Sequence, residues 1–167
     1  VVVELKQWSE LKEVKGKDAL VETYTGGALR QVVHPSYQAW SYAALIKDYS
    51  MYVQNEAVEL RPCAYLHNYE ASDSDPLYAP QYQIYLEDAP AFTKKDLIKL
   101  RDFIKKSIKY GDKGETIYHI DSGKIRPSKS LQDSIASMVK GNDEFIMIDD
   151  QKVVYERILE IARKSAE

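Results

Sequence analysis

Residues 1–8, VVVELKQW, decide how the rest of the chain is to be read. The two-residue period of a strand sends Val1, Val3 and Leu5 to one face and Val2, Glu4 and Lys6 to the other. An apolar strand thus carries a carboxylate and an ammonium side by side on a single face. A carboxylate binds a hard cation such as Mg²⁺ through oxygen, and the backbone carbonyl of the intervening Leu5 can add a ligand. A neighbouring ammonium can orient a water that the metal polarises, a set of parts suited to phosphodiester hydrolysis. Glu10-Leu11-Lys12 and Glu13-Val14-Lys15 repeat the spacing within ordinary charged sequence, so the spacing alone means little. Only Glu4 and Lys6 sit in an apolar run, and the plain alternative for them is a half-exposed strand with a cross-strand ion pair.

Around this strand lies a chain of 167 residues, 44% hydrophobic and 29% charged, which is the composition of one globular domain with at most an appendage. No run is long and apolar enough to cross a bilayer, so no membrane partner is expected. The lone Cys63 has no partner for an internal disulfide and makes no metal site, which gives the cytoplasm as the expected compartment. With a net charge of -3, attraction to nucleic acid would have to come from a local basic face. The chain opens inside a strand without an initiator methionine and stops inside a helix-like segment, as a piece of a larger protein would.

Further along, Tyr24-Thr25-Gly26-Gly27 marks a turn after a charged loop. His34-Pro35 starts a helix running to about Tyr49, with proline at the first helical position. A second strand is expected over Val58–Tyr69, with Pro62 pointing to an edge or a bulge. A long loop follows to Pro90, with a short strand at Tyr82–Leu86. Thr93 and Asp96 form a capping box for a helix to about Tyr110. A hairpin is expected around Thr116–Ile120, a helix over Ser130–Lys140, a strand at Phe145–Ile148 and a last helix capped by Asp149 or Asp150.

In the first helix, Gln38 and Tyr42 are four residues apart and share a face. The same spacing recurs at Gln81–Tyr85 and Gln151–Tyr155 in a chain with 13 tyrosines, so order is what distinguishes it: Glu-x-Lys on a strand, then Gln-x-x-x-Tyr on a helix. VELK followed by QAWSY resembles the RecB-like branch of the PD-(D/E)xK nucleases. The resemblance implies that Glu4 and the Leu5 carbonyl hold Mg²⁺ or Mn²⁺, that Lys6 orients the water, and that Gln38 and Tyr42 support the site or touch DNA. The family's further acidic ligand comes from the preceding strand, which would lie upstream of Val1. The chain by itself is therefore expected to be inactive.

The segment EFIMIDDQKVVYERILEIARKSAE at the other end resembles the stretch before the phosphate-binding loop of superfamily I helicases. There Gln151 would contact the adenine of ATP, bound by a motor domain outside this chain. No G-x-x-x-x-G-K-[ST] loop occurs in the sequence. VVVELKQW, HPSYQAWSY, VELRPCAYLHNY, RPSKSLQ and EFIMIDDQK, in this order, resemble the region ahead of the ATPase core in bacterial DNA/RNA helicases with a Schlafen-like ATPase domain. These likenesses imply an α/β (α+β) fold with a central mixed sheet flanked by helices, restriction-endonuclease-like, over residues 1–125. Residues 126–167 would be a helical connector into the motor.

The helix from Lys94 to Lys109 has Leu97, Leu100, Ile104 and Ile108 for a packed side, and Lys95, Lys99 and Lys106 on a face that could meet phosphates of DNA or RNA. A merely solvated face is the plain alternative. Tyrosines 65, 69, 78, 82 and 85 could stack on bases, although core packing is the expected use. His34, His67 and His119 lack metal-ligand spacing; His34 is expected to cap a helix, His67 to lie on a strand and His119 in a hairpin. Ser137 and Lys140 have a hydrolase spacing on an ordinary amphipathic helix. Three functions follow in order: a metal-dependent nuclease domain joined to a helicase motor, a non-catalytic nucleic-acid-binding or motor-docking module of the same fold, and a structural linker.

Overall fold

The computed structural model describes residues 1–72, 74–125 and 150–165. Expectations for Ser130–Lys140, Phe145–Ile148, Asp149 and the Ser137/Lys140 pair lie outside these residues. Chain order is β1 (Val2–Lys6), β2 (Lys12–Glu13), β3 (Leu20–Thr25), β4 (Ala28–Val33), α1 (Pro35–Tyr49), α2 (Met51–Asn55), β5 (Pro62–Leu66), α3 (Gln83–Asp88), β6 (Ala91–Thr93), α4 (Leu97–Ser107), α5 (Glu115–Ser122) and α6 (Asp150–Ser165).

The expected central mixed sheet is instead two separate ones. A parallel three-stranded sheet has the order β1-β5-β6, and an antiparallel one has the order β2-β3-β4. Gly26 and Gly27, both at positive φ, turn β3 back into β4. Pro62 opens the central strand β5 rather than marking an edge, a position where a missing N–H costs no inner ladder bond. α1 packs over β1 and β5 on one face. On the opposite face, Cys63, Phe92 and Leu100 form a small core with Tyr65, Phe103 and Ile104 from β5, β6 and α4. That packed stripe of α4 is not the expected one, since Leu97 and Ile108 remain 60% and 49% exposed.

Tyr82 joins the two sheets. It is fully buried among Leu11, Val21, Ala64, Leu66 and Leu77. Its hydroxyl donates to the Leu20 carbonyl at 2.6 Å and accepts from the Val14 N–H at 3.3 Å. The strand expected at Tyr82–Leu86 is therefore helical. Pro76 and Pro80 each start a 3₁₀ turn, and the second leads directly into α3. Tyr82 and Tyr85, three residues apart, reach the core from successive turns. Likewise the hairpin expected around Thr116–Ile120 is α5, nucleated by Asp112, whose carboxylate accepts from the N–H groups of Gly114 (3.0 Å) and Thr116 (2.9 Å). His119 thus sits on a helix and stacks on Tyr52. His67 lies just beyond β5 rather than within it.

The capping box at Thr93 and Asp96 forms as expected, ahead of a 3₁₀ turn that continues into α4. The C-terminal α6 packs back onto β4. Lys152 pairs with Asp18 (3.1 Å) and Glu156 (3.2 Å), Lys17 pairs with Glu160 (3.6 Å), and Val153 joins the core formed by Ala19, Leu20, Val33 and Tyr37. Among the described residues no helix is long and apolar enough to cross a membrane.

Candidate functional site

β1 carries its charges inward. Its face with Glu4 and Lys6 turns toward α1, where the two side chains are only 15% and 17% exposed. Val3 and Leu5, on the other face, are 44% and 61% exposed. The polarity of this strand is thus inverted relative to a simple amphipathic one, and the inward charges have to be partnered. Lys6 Nζ lies 2.9 Å from Glu4 Oε1, an ion pair within the strand rather than across it. The same ammonium donates to Gln38 Oε1 at 2.6 Å. Gln38 Nε2 in turn donates to the Tyr42 hydroxyl at 3.0 Å. Four residues from two elements therefore form one hydrogen-bonded chain, Glu4–Lys6–Gln38–Tyr42.

What sets this chain's geometry is the start of α1. His34 is fully buried as the N-cap, and its Nδ1 accepts from the Ser36 N–H at 3.1 Å. Nε2 must then carry the proton, and it donates to the Leu77 carbonyl at 3.0 Å. The ring also stacks on Tyr82, with centroids 4.4 Å apart. Burial pushes the imidazole down to about 4, against the opposing pull of the Leu77 carbonyl. The Gln38 N–H donates to the His34 carbonyl at 3.0 Å, so the neutral histidine that caps α1 also fixes Gln38 one turn later.

Lys6 and Gln38 open into a cleft of about 350 Å³ lined also by Trp8, Thr25, Gln31, Asp150 and Val153. Lys6 Nζ sits 5.0 Å from the centre of the Trp8 ring. Trp8, Thr25, Gln31 and Asp150 were not singled out from sequence. Trp8 was within reach, because it follows Lys6 by two residues and shares its face. Gln31 and Thr25 depend on recognising strands on both sides of the Gly26-Gly27 turn, and Asp150 depends on where α6 packs.

A metal would need more than this. Val2 N donates to the Arg61 carbonyl (2.9 Å) and the Lys6 carbonyl accepts from His67 N (3.2 Å), so the alternate carbonyl, that of Leu5, faces the open edge of β1. One Glu4 oxygen is already held by Lys6. Among the described residues no group of three or more His, Cys, Asp or Glu could hold a metal ion. One carboxylate and one carbonyl fall well short of the oxygen set Mg²⁺ takes, so the described residues do not by themselves fit the cation.

The basic residues lie elsewhere. Lys6 and its β5 partner Leu66 are on the α1 side, whereas α4 covers the other face of the sheet. Lys95 pairs with Glu70 (3.1 Å) and Lys99 with Asp96 (2.7 Å), and Lys106 stands in the last turn of α4. Lys94 and Lys95 hold the Glu70 carboxyl below the usual carboxylate range. Gln151 follows Asp150 in the first turn of α6. A scan against family models finds no match to this chain, and neither does comparison with curated proteins or with solved structures.

Proposed function

We propose that the chain is the nuclease-type part of a larger helicase–nuclease, contributing half of a centre for phosphodiester cleavage of DNA or RNA. The observation that carries this is the Glu4–Lys6–Gln38–Tyr42 chain at the carboxyl end of a parallel strand, where open α/β sheets place their ligands. Lys6 holds an incoming phosphate or water oxygen, Gln38 fixes the direction of its ammonium, and Tyr42 fixes Gln38. Bound Mg²⁺ or Mn²⁺ would supply the polarisation of water and phosphate. Its remaining carboxylate has to come from outside the described residues, and the chain alone is proposed to be inactive. Gln151 acquires a role toward adenine only beside an ATP-binding motor.

A second reading is a nucleic-acid-binding or motor-docking module of related build that does not cleave. It is favoured by the incomplete oxygen set around Glu4. Labelled single- and double-stranded DNA and RNA, incubated with Mg²⁺ or Mn²⁺, separate the two. The chain alone should leave every substrate intact. The longer protein containing it should cleave in a metal-dependent way, and Lys6→Ala should abolish cleavage. Binding without cleavage by the longer protein, unchanged in Lys6→Ala, establishes the second reading; no binding by either sinks both.

A further inference from the structure

The cleft beside Lys6 has a chemistry that goes further than the four-residue chain. Its walls come from the end of β1 (Lys6) and the segment just after it (Trp8), the β3–β4 hairpin (Thr25, Gln31), α1 (Gln38) and α6 (Asp150, Val153). We infer that this cleft accepts one unpaired nucleotide at a time, so that the polymer held at Lys6 is a single strand rather than a duplex. The inference rests on the nucleic-acid reading of the same site and names its substrate class.

Size is the first reason. A volume of about 350 Å³ is at the lower end of what encloses a small molecule, so it takes in one base rather than a base pair, and the Lys6 side chain in its wall is only 17% exposed. The second reason is the mixture of groups. An ammonium has three N–H donors, of which Glu4 and Gln38 take two, leaving one for a phosphate oxygen. Trp8 supplies the aromatic surface on which any base can stack. Gln31 offers its Nε2 donors while its Oε1 accepts from Lys17 Nζ at 3.1 Å, and Thr25 can both donate and accept, as base edges require. Asp150 is an acceptor only. It repels a phosphate and suits the exocyclic amine of a base, which directs the phosphate to the β1–α1 side and the base toward α6.

The third reason is where the cations of the described residues lie. Duplex-binding proteins draw affinity from cations tracking two backbones. Here the lysines of α4 cover the far face of the parallel sheet, and two of the three named for phosphate contact are already paired with carboxylates. Beside the cleft itself Lys17 is engaged by Gln31 and Glu160, and Lys152 by Asp18 and Glu156, so affinity there is left to local contacts to an exposed base, which a duplex hides.

The test is fluorescence anisotropy of end-labelled oligonucleotides in EDTA, with single-stranded DNA, single-stranded RNA and a blunt DNA duplex, each of about 15 residues, a length spanning one such site. Both single strands should bind at least about tenfold more tightly than the duplex, since aromatic stacking on one base contributes roughly 5- to 150-fold in affinity. Gln31→Ala, at an exposed position on β4, should weaken single-strand binding about fivefold with no change for the duplex, as loss of one base-edge contact implies. Trp8→Leu should weaken it further; because Trp8 also packs on the core, its folding is checked by circular dichroism and Gln31→Ala carries the decision. Equal or tighter duplex binding that ignores Gln31→Ala overturns single-strand selectivity and leaves the nucleic-acid reading standing. No binding of any oligonucleotide overturns both.

Discussion

His34 does two jobs at one position, capping α1 and bridging to the Leu77 carbonyl; the cap, in which Nδ1 accepts from the Ser36 N–H, requires a neutral ring. Its folded-state value of about 4 lies below the unfolded 6.5. Stability from this group is complete above about pH 6.5, because neither state is then protonated. As pH falls toward 4 the unfolded chain takes up the proton first, and stability is lost. Each pKa unit corresponds to ~1.4 kcal/mol, so the loss approaches about 3 kcal/mol at pH 4. Urea denaturation between pH 7.5 and pH 4.5 should show this fall, and His34→Gln should flatten it while lowering stability at neutral pH. A slope unchanged in His34→Gln assigns the acid sensitivity to other groups. Lys6 also has more than one partner. Its bonds to Glu4 and Gln38 explain how an inward ammonium is tolerated on a strand face.

Two elements differ most from a simple amphipathic design. Among the described residues β1 shows an apolar face and an unpaired edge, a combination that invites pairing with another strand. Leu5→Lys should leave stability within about 0.5 kcal/mol, as surface changes do. It should also reduce association, read as a lower light-scattering mass at high protein concentration. α6 is held chiefly by charge: Lys152 is drawn up from its ordinary value by Asp18 and Glu156, which outweigh the opposing effect of burial. Lys152→Met leaves Glu156, only 8% exposed, without that cation, and should cost about 1–3 kcal/mol. Hydrogen exchange in residues 150–165 should rise more than in β5, and added salt should reproduce part of the effect. These elements also mark what could be read in advance. The start of α1 was legible because His34 as the cap and Pro35 at the first helical position are local signals, and so was the Thr93/Asp96 box. α3 and α5 were not, since a 3₁₀ lead-in and an Asp112 carboxylate reaching back from a turn leave no periodic trace in short segments. The grouping of Glu4 with Lys6 followed from period alone, but which face was inward depended on where α1 docked.

At the scale of the molecule, two sheets share one core through Tyr82, and α1 lies over the parallel sheet with Ala39 and Ala43 buried along its length. Small residues let the helix sit close, and that closeness is what brings Gln38 within 2.6 Å of Lys6. Enlarging the buried side of α1 by Ala39→Val should cost about 1–3 kcal/mol through overpacking. It should also weaken any function that depends on Lys6 by more than a stability loss at neutral pH explains, measured as oligonucleotide affinity on fully folded protein. Hydrogen bonds fade over a few tenths of an ångström, so a displaced helix is registered at the site before the fold gives way. Tolerance to sequence drift is therefore uneven across this chain. The α4 side can exchange one surface charge for another with little consequence, whereas bulk added beneath α1 reaches Lys6 through Gln38, so the alanines of that helix govern side-chain geometry they take no part in.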